Sequence, residues 1–476
     1  MSFQTPCDEW QAIMKPKTTS ATLIALALSL CGSPSHAEKV SRGAVIAQAL
    51  KQNPQIAAAR ARRAQSEGEQ VQADSARWPQ VSVELGVGPS LRATLVPGTA
   101  VESTRGRYDL AVKDLSVVMG GRLSVVQPLY TFGKLDGFRA AAAHGIRARD
   151  AQTQMTQADV ALEVARLYEA SLFARDSRRF FEELENYVVR TVLATEERVK
   201  SGTPDVTEQD VLRLQTALAA VRLALNYARA GQEQARAGLV AYLGLAPATA
   251  LEPREDELKT LDTVHARAPY LMSRALRDRP ELGALREGAL AYDSLANAEH
   301  AGALPDVFLM GFVDGAYTPG RDLIQTRYVI DPLNHLDPGI LLGMRWQMQG
   351  AMSRGRAEQR SAQARELRDL QSWATSGLPA QVEKAYADMA RARLDIVEAH
   401  TGVGRAKSWM VQANGDYLVG LASSQPLVDA VRAYTELRAA ELDAIYRQNV
   451  AVAELAHATG TLVGDKLGLY PGKDAP

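Results

Sequence analysis

The sequence predicts a mixed α/β membrane protein in which long helical hairpins adjoin four β-strands. Three observations predict this fold class. A proline-bounded, Ala-rich segment occurs twice, an alternating apolar run follows each copy, and long stretches of helical composition fill most of the remainder. The chain therefore repeats one structural plan.

The repeated segment lies between Pro54 and Pro79 in the first half and between Pro280 and Pro305 in the second. In both copies the two prolines are 25 positions apart. A proline fits the first turn of a helix but cannot continue its interior. Each copy is therefore predicted to be a helix that ends before its second proline.

Strict alternation of apolar and polar residues follows each repeated helix, which is the pattern of a strand with one apolar face. In the first copy the apolar positions are Val81, Val83, Leu85 and Val87. A second run, LSVVMGGRLSVV, begins at Leu115 after a polar loop from about Pro89 to Lys113. Each half is therefore predicted to contribute two strands.

The second half has the same pair of runs. DVFLMGFVDG follows Pro305, and ILLGMRWQMQ comes after a loop from about Tyr317 to Pro338. The last strand is predicted to continue through Trp346 and Met348, because the apolar alternation reaches those residues.

Long helices follow the strands. Residues 134–200 contain no proline, and a continuous helix of that length would approach ~100 Å. The sequence SGTPD, from Ser201 to Asp205, then predicts a turn. The next helix carries apolar residues at alternating steps of three and four, a heptad seam that requires a partner helix. The seam residues are Val211, Leu214, Leu218, Val221, Leu225 and Ala228.

The second half repeats the helical hairpin. A long helix is predicted from about Ser353 to Tyr417, with an interruption at SGLP near Gly377. VGLASSQP then turns the chain, and Leu427, Ala430, Tyr434 and Leu437 begin a new seam. Gly202 and Gly420 therefore mark matching turns at the ends of the two hairpins.

The N-terminus has the layout of a secretory signal peptide. Lys15 and Lys17 precede the apolar run ATLIALALSL, and a small-residue cleavage site follows after Ala37. Translation starts at Met1 or Met14 in this interpretation. The two cysteines, Cys7 and Cys31, both lie in this segment, so the mature chain contains no thiol. Lipidation of Cys31 stays an open alternative.

These patterns predict the domain organisation. The boundaries are a signal peptide at 1–37, a first repeat at 38–244, a connector at 245–269, a second repeat at 270–460 and a C-terminal tail at 461–476. Four strands are too few to close a barrel, for which about eight are the minimum. Open strand edges cannot face lipid. Several chains must therefore share one barrel.

This ordered pattern resembles the TolC-like outer membrane factors. The resemblance covers about residues 41–460 and includes the doubled proline-bounded helix, the strand that follows it, the turn at Val419–Leu421, and the Leu243–Gly244 pair. It implies a homotrimer that shares one 12-stranded β-barrel and continues as an α-helical periplasmic tunnel. It also implies a location in the cell outer membrane.

The resemblance also implies residue roles at the helical turns. An adaptor protein would dock at Arg198, Val199, Lys200, Ser201 and Gly202, and at Val419, Gly420 and Leu421. Acidic residues just beyond the turns would narrow the tunnel as a periplasmic gate, and the matching positions are Glu208, Asp210 and Asp429. Pro426 occupies one position where the family often has an acid.

The gate residues have a simpler alternative role. A ring of three symmetry-related carboxylates would favour cations and control the entrance. Acids in the first turn of a helix are also stabilised by the helix dipole without any such function. Both interpretations stay open at this stage for Glu208, Asp210 and Asp429.

Composition and motifs exclude several other classes. The net charge of −1 argues against nucleic-acid binding. The seven histidines form no zinc motif, and neither a phosphate-binding loop nor a G-x-S-x-G elbow occurs, so the sequence predicts no enzyme, no metal site and no cofactor.

The predicted function is an outer membrane channel-tunnel in a tripartite export system. Its partners would be a periplasmic adaptor protein, an inner-membrane ABC or proton-driven pump, and outer membrane lipid. The resemblance favours type I secretion of a protein toxin, through a CyaE-type channel, over multidrug or metal efflux. The alternative of another class is a soluble periplasmic coiled-coil scaffold, whose strands would be hairpins packed on helices.

Overall fold

The computed structural model describes residues 38–91, 94–95, 108–109, 115–204, 206–262, 266–321, 331–348 and 350–463. The predicted signal peptide, with both cysteines, lies outside the described residues. So do most of the predicted tail and most of the first predicted loop.

The first half contains nine elements in the described ranges. They are β1 (Glu38–Val40), α1 (Arg42–Gln52), α2 (Pro54–Ser75), β2 (Gln80–Leu91), β3 (Thr94–Leu95), β4 (Tyr108–Asp109), β5 (Leu115–Tyr130), α3 (Lys134–Lys200) and α4 (Glu208–Tyr242).

The second half repeats this order in the described ranges without counterparts of the two short strands β3 and β4. Its elements are β6 (Leu251–Pro253), α5 (Ala268–Asp278), α6 (Pro280–Ala301), β7 (Asp306–Tyr317), β8 (His335–Arg345), α7 (Gly350–Leu418) and α8 (Ser424–Ala458). Equivalent helices have nearly equal lengths: 22 residues in both α2 and α6, 35 in both α4 and α8, and 67 and 69 in α3 and α7. The repeated plan is confirmed.

The prolines that bound the repeated helices act as predicted. Pro54 and Pro280 are the first residues of α2 and α6, where the absent N–H group costs no hydrogen bond. Asn53 caps α2, because its side-chain oxygen accepts a hydrogen bond of 2.8 Å from the backbone N–H of Gln55. The next strands, β2 and β7, begin directly after Pro79 and Pro305.

The four long strands form one antiparallel sheet in the order β2-β5-β7-β8. The register places the predicted apolar residues on one face, since Val83 is opposite Leu123 and Leu123 is opposite Val313. This face is exposed in the single chain: Leu85 is 85% exposed and Ile340 82%. Strands β2 and β8 are the edges of the sheet.

The last strand differs from its predicted position. β8 runs from His335 to Arg345, so Trp346 and Met348 lie beyond it. Pairing with β7 sets these limits, because residues 306–316 of β7 match residues 335–345 of β8 one by one. Pro338 lies inside β8, which within this chain has a hydrogen-bonded neighbour on one side only.

The predicted interruption of the long second-half helix is wrong. α7 is continuous from Gly350 to Leu418 and contains Pro379. A proline inside a helix removes one hydrogen bond and crowds the preceding turn. Packing on the following turn offsets that cost, because Val382 is fully buried in a cluster with Leu271 of α5 and Leu455 of α8.

The helices pack as two hairpins, α3 with α4 and α7 with α8. All six residues of the first predicted seam are buried, and most of them share one apolar cluster with Leu427 and Ala430 of α8. The heptad prediction is therefore confirmed, and the partner surface of the seam includes the second hairpin. No helix in the described part of the chain has both the length and the apolar character needed to cross a membrane.

A buried polar cluster fixes the connector near the middle of α3. Glu169 is 1% exposed and accepts hydrogen bonds from Arg42 of α1 and, at 2.8 Å, from Asn449 of α8. Asn449 also donates to the carbonyl of Lys259 at 2.9 Å and accepts from the N–H of Leu261 at 2.8 Å. The connector is thereby held against both hairpins.

Candidate gate and docking site at the helical tips

The two hairpin turns have the same backbone structure. At the end of α3 the N–H of Gly202 bonds to the carbonyl of Val199 at 3.1 Å, and the N–H of Thr203 bonds to that of Arg198 at 2.9 Å. At the end of α7 the corresponding bonds link Gly420 to Tyr417 and Leu421 to Asp416. Both ends are Schellman motifs.

The glycines in these motifs are required by the backbone. Gly202 has φ +69° and Gly420 has φ +79°, in the left-handed region that residues with a Cβ rarely adopt. The motif ends each helix abruptly and reverses the chain. The sequence prediction of matching turns is confirmed in this respect.

The predicted docking residues surround these turns. Lys200, Ser201 and Gly202 are exposed at the first tip. Val419 and Leu421 at the second tip are 70% and 80% exposed, on either side of Gly420. Arg198 and Val199 are half-buried. The second tip thus presents two apolar side chains to solvent, next to a polar first tip.

Arg198 joins the two hairpins instead of projecting from the tip. Its Nη1 donates a hydrogen bond of 3.0 Å to the carbonyl of Tyr417, and its guanidinium carbon lies 5.2 Å from the centroid of the Tyr417 ring. The Tyr417 hydroxyl donates to Thr195 Oγ1 at 3.0 Å. Residues of α3 therefore contact Tyr417 at its backbone carbonyl, its ring and its hydroxyl.

Asp210 makes a second link between the hairpins. Its Oδ2 accepts hydrogen bonds from the N–H of Thr207 at 2.9 Å and from the Thr207 hydroxyl at 2.8 Å, as in a capping box. Its Oδ1 accepts from the Ser424 hydroxyl and, at 3.4 Å, from the Ser424 N–H. The guanidinium of Arg213 lies 3.6 Å from the same oxygen.

These contacts determine the charge state of Asp210, which is only 4% exposed. Burial alone would raise the pKa of its carboxyl, but hydrogen bonds from Ser424 and Thr207 outweigh it and hold the pKa below the ordinary value. Asp210 is therefore a buried carboxylate that stays ionised and connects α4 to the start of α8.

Glu208 and Asp429 differ from Asp210 in both exposure and contacts. Both side chains are exposed. Asp429 accepts hydrogen bonds of 3.0 and 3.1 Å from the side-chain amide of Gln425, one turn earlier in α8. Of the three predicted gate acids, these two present their charge to solvent, whereas the carboxylate of Asp210 is occupied inside the chain.

Sequence reasoning did not find four residues of the tip network: Thr195, Thr207, Tyr417 and Ser424. A local signal was available for Thr207, because a threonine three positions before an acid is the pattern of a helix cap. No local signal indicates Ser424 or Tyr417, since their partners lie 214 and 222 residues away in the chain.

The four-stranded sheet and the repeated helical hairpins together define the fold of the protein, which is TolC-like. A family model for outer membrane efflux proteins matches residues 45–245. The predicted resemblance and the predicted location in the outer membrane are confirmed at this level.

Solved structures match over most of the chain. The outer-membrane channel OprN is 19% identical, with a TM-score of 0.70 over 90% of this chain and 94% of its own. VceC from Vibrio cholerae is 18% identical, with a TM-score of 0.69 over 88% and 96%. The CmeC channel of Campylobacter jejuni is 14% identical, with a TM-score of 0.71 over 91% and 92%.

These identities show a shared fold. No curated protein matches the sequence significantly. The family match and the fold give the coarse function, an outer membrane efflux channel.

Proposed function

We propose that three copies of this chain assemble into one 12-stranded barrel and a continuous helical tunnel, which conducts substrate from the periplasm to the exterior. The observation that carries the proposal is the exposed apolar face of an open four-stranded sheet. An apolar face of this kind needs lipid to cover it, and an open sheet edge in lipid needs another strand.

The edges of the sheet fit this assembly. β2 has 12 residues and β8 has 11, so the two edges are nearly equal in length. Because the strands are antiparallel, β8 of one chain can pair with β2 of the next at every junction. Three chains then supply twelve strands, above the minimum of about eight for closure.

The soluble scaffold is disfavoured by the same residues. A soluble protein would pack the apolar face of its sheet against helices of the same chain. Instead, Val81, Val83, Leu85 and Val87 are each more than 60% exposed. In the described part of the chain these four side chains are therefore left uncovered.

The tips are proposed to be the gate and the docking site. In this proposal Asp210 closes the entrance by holding the two hairpins of one chain together, in cooperation with Arg198. Glu208 and Asp429 supply the exposed charge at the entrance. The exposed turns, with Val419 and Leu421, contact the periplasmic adaptor.

The channel performs no chemistry in this proposal and takes its energy from an inner-membrane pump of the ABC or proton-driven type. The description of the matching family, outer membrane efflux protein, favours efflux as its task. Type I secretion of a toxin rests on the sequence resemblance alone and stays a prediction.

Location and assembly are tested together. Membranes are separated by density, and the protein mass of the detergent-solubilised species is measured by light scattering after subtraction of the detergent. The expected result is an outer-membrane species with three times the mass of the mature chain. A monomer in the soluble periplasmic fraction would refute the proposal.

Docking is tested with single cysteines, because the described residues contain none. Photo-reactive labels on Ser201→Cys and Leu421→Cys should cross-link to a second, periplasmic protein in cells. Ser376→Cys, which is exposed in the middle of α7, is the control and should give no cross-link to that protein. Mass spectrometry of the cross-linked partner identifies the adaptor, and the pump that it serves decides between efflux and type I secretion.

A further inference from the structure

We propose that a row of four charged side chains across the sheet makes the barrel passage selective for cations. The row consists of Glu84 on β2, Arg122 on β5, Asp314 on β7 and Asp337 on β8. The inference rests on the proposed channel function and adds a specificity determinant far from the gate at the helical tips.

The register of the sheet places these residues in one line. Glu84 is directly opposite Arg122, Arg122 is opposite Asp314, and Asp314 is opposite Asp337. Residues directly opposite one another on neighbouring strands have side chains on the same face. One charged residue from each of the four long strands therefore lies at the same level of the sheet.

This row lies on the face opposite the apolar one. Side chains alternate between the two faces, so Glu84 and its neighbour Leu85 point to opposite sides. The face of Glu84 also carries Ser82 and Ser124, whose hydroxyl oxygens are 2.7 Å apart. In a closed barrel with its apolar face toward lipid, the charged row faces the water-filled interior.

The row has an excess of negative charge. It contains three carboxylates and one guanidinium in each chain. The only ion pair within the row, among the described residues, joins Arg122 Nε to Asp314 Oδ2 at 2.7 Å. Asp314 also contacts His335 Nε2 at 2.8 Å. Glu84 and Asp337 are exposed, and neither has an ion pair in the described part of the chain.

Sheet stability does not account for this arrangement. Like charges directly opposite each other destabilise a pair of strands, and Asp314 and Asp337 are in that position. Arg122 on β5 compensates the charge of Asp314 from one side, and a row built for stability alone would have a neutral or basic residue in place of Asp337 on the other side. In the assembly, three copies bring nine carboxylates and three guanidinium groups to one level of the interior, and an acidic ring in a channel favours cations.

The test is the reversal potential of the purified protein in planar bilayers, measured across a KCl gradient. The wild-type channel should prefer K⁺ over Cl⁻. The double variant Glu84→Gln/Asp337→Asn breaks no ion pair described here, and its reversal potential should shift toward zero. Arg122→Gln should shift the reversal potential the other way.

A charge-preserving variant is the matched control. Glu84→Asp/Asp337→Glu alters the same two positions and should keep the wild-type selectivity. A conducting Glu84→Gln/Asp337→Asn channel with the wild-type reversal potential would overturn this inference while leaving the channel function intact. A wild-type protein that forms no conducting channel at all would overturn the proposed function, and this inference with it.

Discussion

Asp210 at the start of α4 accepts two hydrogen bonds from Ser424 at the start of α8, so one buried carboxylate joins the tips of both helical hairpins. The same carboxylate caps α4 through Thr207. Local helix capping and contact between the hairpins therefore depend on one side chain. Substitution of that side chain should affect both.

Removal of the Asp210 carboxylate should loosen the tips. Asp210→Ala leaves donors of Thr207 and Ser424 without an acceptor, at a cost of about 1–2 kcal/mol. We expect faster amide hydrogen exchange around residues 195–214 and 417–430, and a larger single-channel conductance. Asp429→Ala is the control for hydrogen exchange only, because Asp429 is exposed and contacts Gln425 of its own helix. Equal exchange rates in wild-type and Asp210→Ala protein would exclude the proposed link.

The link through Asp210 should resist moderate acidification. A carboxyl whose folded pKa is lowered contributes stability above its unfolded pKa of about 3.9, and loses that contribution as the pH falls through the folded pKa. The tips should therefore stay together between pH 7 and about pH 5 and separate only below about pH 4.

Spin labels on Ser201→Cys and Leu421→Cys can measure this separation, in trimers assembled from mostly unlabelled chains. The distance between the labels should be constant from pH 7 to pH 5. An increase centred near pH 6 would mean that a histidine, and not Asp210, controls the tips.

The turn glycines should be sensitive to substitution for backbone reasons alone. Gly202→Ala and Gly420→Ala should each lower the free energy of unfolding by about 1–2 kcal/mol, because both have positive φ. An added Cβ would meet no atom within 4 Å at either position, so crowding is not the cause.

Gly415→Ala is the matched control for these variants. Gly415 lies inside α7, also with nothing within 4 Å of an added Cβ, and alanine should stabilise the helix there by about 0.5–1 kcal/mol. Denaturant titration of all three variants gives the comparison. If alanine changed the free energy of unfolding in the same direction at Gly420 and at Gly415, that result would argue against the Schellman motif in solution.

The two faces of β2 should respond differently to one introduced charge. Leu85→Arg places a guanidinium on the apolar face, at a cost of about 2–4 kcal/mol near the middle of the bilayer. Glu84→Arg places the same group one residue earlier, on the opposite face. We expect Leu85→Arg to prevent assembly and Glu84→Arg to permit it, as judged by the yield of heat-modifiable trimer on gels. Equal yields would indicate that the apolar face does not meet lipid.

The sequence predicted the elements whose signals are local. Pro54 and Pro280 begin equivalent helices, and the alternation that starts at Val81 defines a strand with one apolar face. The position of β8 was missed, because its register depends on pairing with β7 and not on its own apolar pattern. The predicted interruption at Pro379 was wrong for a similar reason, since packing of the adjacent turn keeps α7 continuous.

The candidate site was predicted only in part. The turns at Gly202 and Gly420 were found from glycine and proline positions alone. The sequence did not predict that Asp210 is buried and Asp429 exposed, because both are acids near the start of a helix. Burial there depends on the approach of α8 to α4, which no local pattern encodes. The same limit applies to the charged row, which becomes visible only when strand register is known.

The two halves of the chain are equivalent in architecture but differ at the hydrogen bonds between Asp210 and Ser424 that join their tips. Eight positions after Gly202 the chain has Asp210, whereas eight positions after Gly420 it has Val428. A tube built from six identical half-chains would have the same hairpin turns around its entrance. It would not have Asp210 on one hairpin and its partner Ser424 on the next. In the proposed trimer the link between Asp210 and Ser424 therefore occurs three times around the entrance, and the entrance would widen by the opening of three links instead of six.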